Sequence, residues 1–138
     1  MGLNIQNLTT LRDTIQTMDP LRFNMATWSQ IDGDRTATLN EMQHGCGTAA
    51  CIGGWAETLF VASQPEDRIG EADDELVLEA LGITLEQAND LFFPLQQLHD
   101  ADMPDGYDSL TQRQAVEVLD HLIATEVVDW PRAVRMHP

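Results

Sequence analysis

Lysine is missing from this sequence: its seven basic residues are all arginine, they face 23 acidic ones, and the net charge is −16. Without lysine there is no P-loop phosphate contact, no pyridoxal Schiff base and no lysine acting as base or nucleophile. A surface this poor in cations does not displace the counterions of a nucleic acid, which argues against direct nucleic-acid binding. Cysteine is scarce as well, with two in 138 residues. A chain of this length buries roughly 68–70% of its unfolded surface, so neither a disulfide nor a metal is needed for folding. No apolar run approaches the roughly 20 residues that span a bilayer. The opening Met1-Gly2-Leu3-Asn4 has neither the basic start nor the apolar stretch of a signal peptide. A cytoplasmic location and no membrane partner are therefore expected. The G-x-S-x-G, H-E-x-x-H and dinucleotide fingerprints are absent too, so no enzyme activity and no cofactor are expected.

What is present reads as one helical domain, residues 1–138. Hydrophobic residues make up 43% and charged ones 22%, a globular balance. Ile5, Leu8, Leu11, Ile15 and Met18 recur at helical spacing, and Asp19-Pro20 stops that helix. Phe23 to Trp28 is too short for a helix and too apolar for a free loop. It reads as an extended piece laying Phe23, Met25 and Trp28 on the core. Gln30 to Gly45 is expected to be loop, with at most a helical turn at Thr38–Gln43. A second helix is expected from Thr48, as cap, to about Ala62, and a third over Ala72–Leu81 with Leu76, Ala80 and Leu81 inward. Gly82 closes the third, and Thr84 with Gln87 forms a capping box for a helix through Phe93. Gln96–Ser109 reads as a long acidic loop. Thr111 with Gln114 opens a last helix, striped by Ala115, Val118, Leu119, Leu122 and Ile123. Val127–Pro131 is expected to leave as an extended tail. The expected fold is all-α, with four to five helices.

The charge is unevenly spread. Residues 57–108 hold 14 acids and only Arg68, a net of −13 out of −16. Glu71, Glu75 and Glu79 stand at i, i+4 and i+8 with no base among them, and like charges so spaced each cost about 0.2–0.5 kcal/mol. Asp73 and Asp74 favour the helix dipole from the first turn, and the long loop adds Asp100, Asp102, Asp105 and Asp108. Two readings compete. One is a solvated face that maintains solubility, as in a salty cytoplasm. The other is a surface that meets a basic groove on a partner in place of nucleic acid.

No EF-hand or DNA-binding motif is complete, although weak calcium binding at the Asp100–Gly106 stretch stays open as a third reading of the acidic loop. An EF-hand loop needs Gly at position 6 and Glu at 12; the stretch starting at Asp32 has Ala37 and Gln43 there, and the one starting at Asp100 has its Gly106 one residue late. Ala80-Leu81-Gly82-Ile83-Thr84 has the tight turn of a helix-turn-helix, but Thr84–Phe93 carries Glu86 and Asp90 and no base.

The most distinctive run is His44-Gly45-Cys46-Gly47-Thr48-Ala49-Ala50-Cys51-Ile52-Gly53-Gly54-Trp55-Ala56. Two glycines inside a helix cost roughly 0.8–1.0 kcal/mol each relative to alanine, so something must pack closely at Gly53-Gly54. The two thiols fit buried reduced cysteines, a Cys46–Cys51 disulfide, a zinc site of His44, Cys46 and Cys51 with His99 or an Asp, or a nucleophile served by a nearby histidine.

Cys46-Gly47-Thr48-x-x-Cys51-x-x-Gly54-Trp55-Ala56, with Arg22-Phe23-Asn24-Met25 and Trp28 before it, resembles a family of small proteins of bacteria and their phages. Leu81-Gly82-Ile83-Thr84, Leu91-Phe92-Phe93-Pro94 and Val128-Asp129-Trp130 extend the resemblance over most of the chain. It implies no particular activity, but a phage connection implies a host-directed inhibitor. Two functions follow as expectations. The first is an acidic, non-enzymatic inhibitor that occupies a basic protein surface with Glu71, Asp73, Asp74, Glu75, Glu79, Asp100, Asp102, Asp105 and Asp108. The second is a small zinc- or thiol-based protein built on His44, Cys46 and Cys51.

Overall fold

A computed structural model describes residues 2–31, 35–44 and 47–138. Asp32, Gly33 and Asp34, the start of the first EF-hand-like stretch, and Cys46 lie outside the described residues. The described chain is mostly helical. In order it forms α1 (Ile5–Thr17), β1 (Gln30–Ile31), α2 (Leu39–His44), β2 (Thr48–Ala49), α3 (Ile52–Phe60), α4 (Asp74–Leu81), α5 (Leu85–Phe92), α6 (Gln112–Thr125) and α7 (Trp130–Met136). The seven α-helices among the described residues exceed the four or five expected. The strands are two residues each and pair antiparallel, Gln30 with Ala49 and Ile31 with Thr48.

The apolar stripes converge as their spacing predicts, except that Ile5, expected on the α1 stripe, is exposed at the helix start. Leu8, Leu11 and Ile15 of α1 join Trp55, Leu81, Leu119 and Leu122 in one buried cluster. α1 packs on α6, α3 and α4, and α7 packs on α6. Side chains close the helix ends. The Gln112 amide donates to the carbonyls of Ile15 and Met18 at the end of α1, satisfying acceptors left free by the helix. The capping boxes expected at Thr84–Gln87 and Thr111–Gln114 are both formed. A third opens α2, where Glu41 accepts from the Thr38 N–H and its own N–H donates to the Thr38 hydroxyl. Hydrogen bonds from Arg35, then from the Thr38 backbone, hold the Glu41 carboxyl down at about 2.

Several expectations are corrected. Thr48 does not cap α3: it is buried in β2, where its hydroxyl accepts from the Arg22 guanidinium at 3.0 Å. A strand pairing with a segment 18 residues away competes with local capping, and the helix starts only at Ile52. α3 ends at Phe60, short of Ala62. Leu76 is 47% exposed, and Val77 with Leu81 forms the buried stripe of α4 instead. The acidic loop after Phe93 is not plain loop: three 3-10 turns, Pro94–Gln96, Asp100–Asp102 and Gly106–Ser109, break it up. The tail is not extended, because Asp129 caps α7 and Pro131 sits in its first turn, where its missing N–H costs nothing. Fully buried Trp130 donates to the Asp90 carbonyl at 3.1 Å, tying α7 to the end of α5.

Candidate functional site

The centre of residues 57–108 is built outward from α3. Cys51 caps this helix, its sulfur accepting from the Gly54 N–H at 3.5 Å. Gly53 and Gly54 then present bare backbone to Trp28, the half-buried indole of the segment before β1, which turns at Met25–Ala26 and bends at Trp28 rather than running extended as expected. A Cβ on Gly53 would lie 2.2 Å from the Trp28 ring, and one on Gly54 would lie 1.7 Å from the Trp28 carbonyl oxygen. The close partner is therefore a tryptophan and its own backbone. Trp28 is held from further sides. Its ring stands T-shaped to Phe92, with centroids 5.5 Å apart and planes at 88°, and a Cβ on Gly70, at φ +110°, would meet it at 3.3 Å.

The indole N–H fixes the rest. Trp28 Nε1 donates to Glu57 Oε1 at 3.0 Å, and the Gly70 N–H donates to Glu57 Oε2 at 2.6 Å. Glu57 is 1% exposed, so one of the 14 acids of the acidic third is a structural core residue. A buried carboxylate needs such donors, since an unmet one costs about 1–3 kcal/mol or more. Sequence reading missed this pair; the available signal was that Glu57 follows Gly53 and Gly54 by four and three residues on the same helix.

Beyond this clamp the acids turn outward. All nine residues assigned to the acidic surface, Glu71, Asp73, Asp74, Glu75, Glu79, Asp100, Asp102, Asp105 and Asp108, are exposed. Two also serve the backbone: Asp73 caps α4 through the Glu75 N–H, and Asp102 accepts from the His99 N–H. Asp67 closes its loop by accepting from the Gln64 and Ser63 N–H groups, which lower its carboxyl pKa. The expected stripe of three glutamates is cut to two. α4 begins at Asp74, so Glu71 stands before the helix, its N–H on the Arg68 carbonyl. Glu75 and Glu79 remain at i, i+4, with Glu79 in the last turn, where the helix dipole disfavours an acid.

Every ion pair among the described residues lies outside 57–108. Arg12 pairs with Asp13 and Asp120, Arg35 with Glu41, and Arg132 and His137 with Glu117. These pairs thus neutralise acids elsewhere. α4 stands as a ridge between two depressions. On one side a groove of about 930 Å³ runs between Glu75, Leu78 and Glu79 and the segment from Gly2 to Ile5. On the other, Leu76 and Glu79 face Phe60 and Val61 across a shallower depression of about 350 Å³.

Of the cysteine segment's candidate residues, His44 and Cys51 are described and Cys46 is not. Cys51 is buried, and burial pushes its thiol up to about 11, which favours the protonated, less reactive form at neutral pH. It is also the α3 cap rather than a residue one turn inside the helix. His44 is exposed at the end of α2, and His99 is exposed before a 3-10 turn. No three His, Cys, Asp or Glu side chains converge as metal ligands among the described residues. In a Cys46→Ser chain, a thiol reagent at pH 8 is expected to leave Cys51 unmodified until denaturant is added. Rapid modification of the native protein, read by mass spectrometry, would contradict the buried cap.

No helix of the described residues is long and apolar enough to cross a membrane. No family model, curated protein or solved structure matches the chain.

Proposed function

We propose that this chain is a non-enzymatic binding protein whose residues 57–108 occupy a basic surface on a protein partner, in the place of nucleic acid. The observation that carries this reading is the exposure of Glu71, Asp74, Glu75 and Glu79, together with the Asp100–Asp108 segment, on a stretch whose only base is Arg68. The ion pairs of the described residues leave that stretch unneutralised. Glu75 and Glu79 support it further, because their mutual repulsion and the position of Glu79 both work against α4. The mechanism is electrostatic competition: long-range steering into a basic groove, with affinity that falls as salt rises. The resemblance to small proteins of bacteria and their phages makes a host defence machine, such as a nuclease complex in the host cytoplasm, the favoured target. Capture from host lysate at low salt, with release at high salt and displacement by duplex DNA or RNA, tests it. A partner that ignores both salt and nucleic acid would contradict it.

A further inference from the structure

Resting on that reading, we propose that the groove between α4 and the segment before α1 receives a basic amphipathic helix of the partner, its apolar stripe in the groove and its cations against Glu75 and Glu79. The groove is built rather than incidental. The Asn4 N–H donates to the Leu81 carbonyl at 2.9 Å, and the Asn7 amide donates to the Ala80 carbonyl at 2.7 Å. These bonds fasten the Gly2–Ile5 wall to the end of α4. Gly82 makes the fit possible: at φ +67° it turns the chain, and a Cβ there would come within 2.5 Å of the Asn4 nitrogen.

The chemistry of the lining selects the occupant. Leu3, Ile5 and Leu78 offer apolar surface over the buried Ile83, Ile5 being 46% exposed, while Glu75 and Glu79 border them. Apolar walls give nothing to a bare cation, and the two carboxylates repel nucleic acid. A second copy of a chain carrying −16 brings like charge to the same place. A helix with leucines at i, i+3, i+4 and i+7 flanked by arginines satisfies both the walls and the border. At about 930 Å³ and open to solvent, the groove has the volume of several side chains.

The probe is a fluorescent helical peptide of about 14 residues, four turns, with a leucine stripe flanked by arginines. Its partner control keeps the same charge but has serine in the stripe. The striped peptide is expected to bind about tenfold tighter, since burying even one leucine is worth that much. Its amide shift changes should centre on residues 2–5 and 75–84. Ile5→Asp gives the deciding sign. It adds an acid to the first turn of α1, which suits that helix, and it raises the negative charge. Charge attraction alone predicts tighter binding by this variant, whereas the groove predicts binding weaker by about fivefold. Glu75→Gln with Glu79→Gln should weaken the peptide while the melting temperature stays level or rises slightly. Equal binding of both peptides, tighter binding by Ile5→Asp, or shifts confined to residues 100–108 would overturn the groove and leave the acidic reading standing. A dimer in sedimentation that Ile5→Asp dissolves would assign the groove to a second copy and overturn it as well. No binding of either peptide at low salt would overturn both.

Discussion

Replacing Gly54 by alanine is expected to lower the melting temperature by on the order of 10 °C, the effect of about 3 kcal/mol in a domain this size. Alanine is the better helix former by roughly 0.8–1.0 kcal/mol, and Gly54 lies within α3, so propensity alone predicts the opposite sign. The added Cβ would stand 1.7 Å from the Trp28 carbonyl oxygen. That contact is with backbone, which no rotamer change relieves. The neighbouring chain is fixed by the Cys51 N–H on the Thr27 carbonyl at 2.9 Å, so one of two packed segments has to move. Gly54→Leu should be at least as damaging. Thermal melting by circular dichroism decides it; a variant melting at or above the wild type would mean that the close approach is absent.

The Trp28 indole gives the second large effect. Trp28→Ala is expected to cost about 3–5 kcal/mol for the lost ring, with more because Glu57 loses a hydrogen-bond donor while remaining buried. Against a total stability of about 5–15 kcal/mol that is a large fraction, enough to lower the melting temperature by on the order of 10–20 °C. A gentler pair of variants separates ring from backbone. Gly53→Ala in the wild type should destabilise by about 1–3 kcal/mol, because its Cβ meets the far edge of the indole. In a Trp28→Leu background that edge is gone, and Gly53→Ala should become neutral or favourable, a coupling of about 1–2 kcal/mol or more. Gly54→Ala should stay destabilising there, since its obstacle is the carbonyl of residue 28 whatever the side chain. Additive behaviour at Gly53 in urea unfolding would contradict the packing of Trp28 over α3.

Which features are legible in the sequence follows from how local their causes are. α1, α5 and α6 are readable because their stripes and caps lie within one helix: Leu8, Leu11 and Ile15 for α1, and the Thr84–Gln87 and Thr111–Gln114 boxes for the other two. The glycine pair announces a close neighbour but does not name it, since Trp28 is some 25 residues away in the chain. The start of α3 is hidden for the same reason: Thr48 is drawn into β2 by Gln30–Ile31, and Cys51 inherits the cap. Pro131 reads as a stop, yet proline in a first turn begins a helix, and Asp129 before it is the cap. The acidic site is legible as composition and only partly as geometry. Its residues are exposed as charge requires, but Glu57 is core and Glu71 stands off the helix. The groove at the end of α4 depends on Asn4 and Asn7 reaching Leu81 and Ala80, a pairing across more than 70 residues that no local pattern encodes.

Affinity for the captured partner, measured from low to high salt for the wild type and for the E71Q/E75Q/E79Q variant, tests the acidic surface most directly. The variant should bind more weakly at low salt and show a shallower salt dependence, because three fewer charges meet the basic groove. Its stability should stay level or rise slightly, as the Glu75–Glu79 repulsion is removed and Gln forms helix about as well as Glu. Unchanged affinity at low salt would show that this face is not the interface. If the matching Asn variants at Asp100, Asp102, Asp105 and Asp108 also bound unchanged, the nucleic-acid-like role of the acidic third would be contradicted.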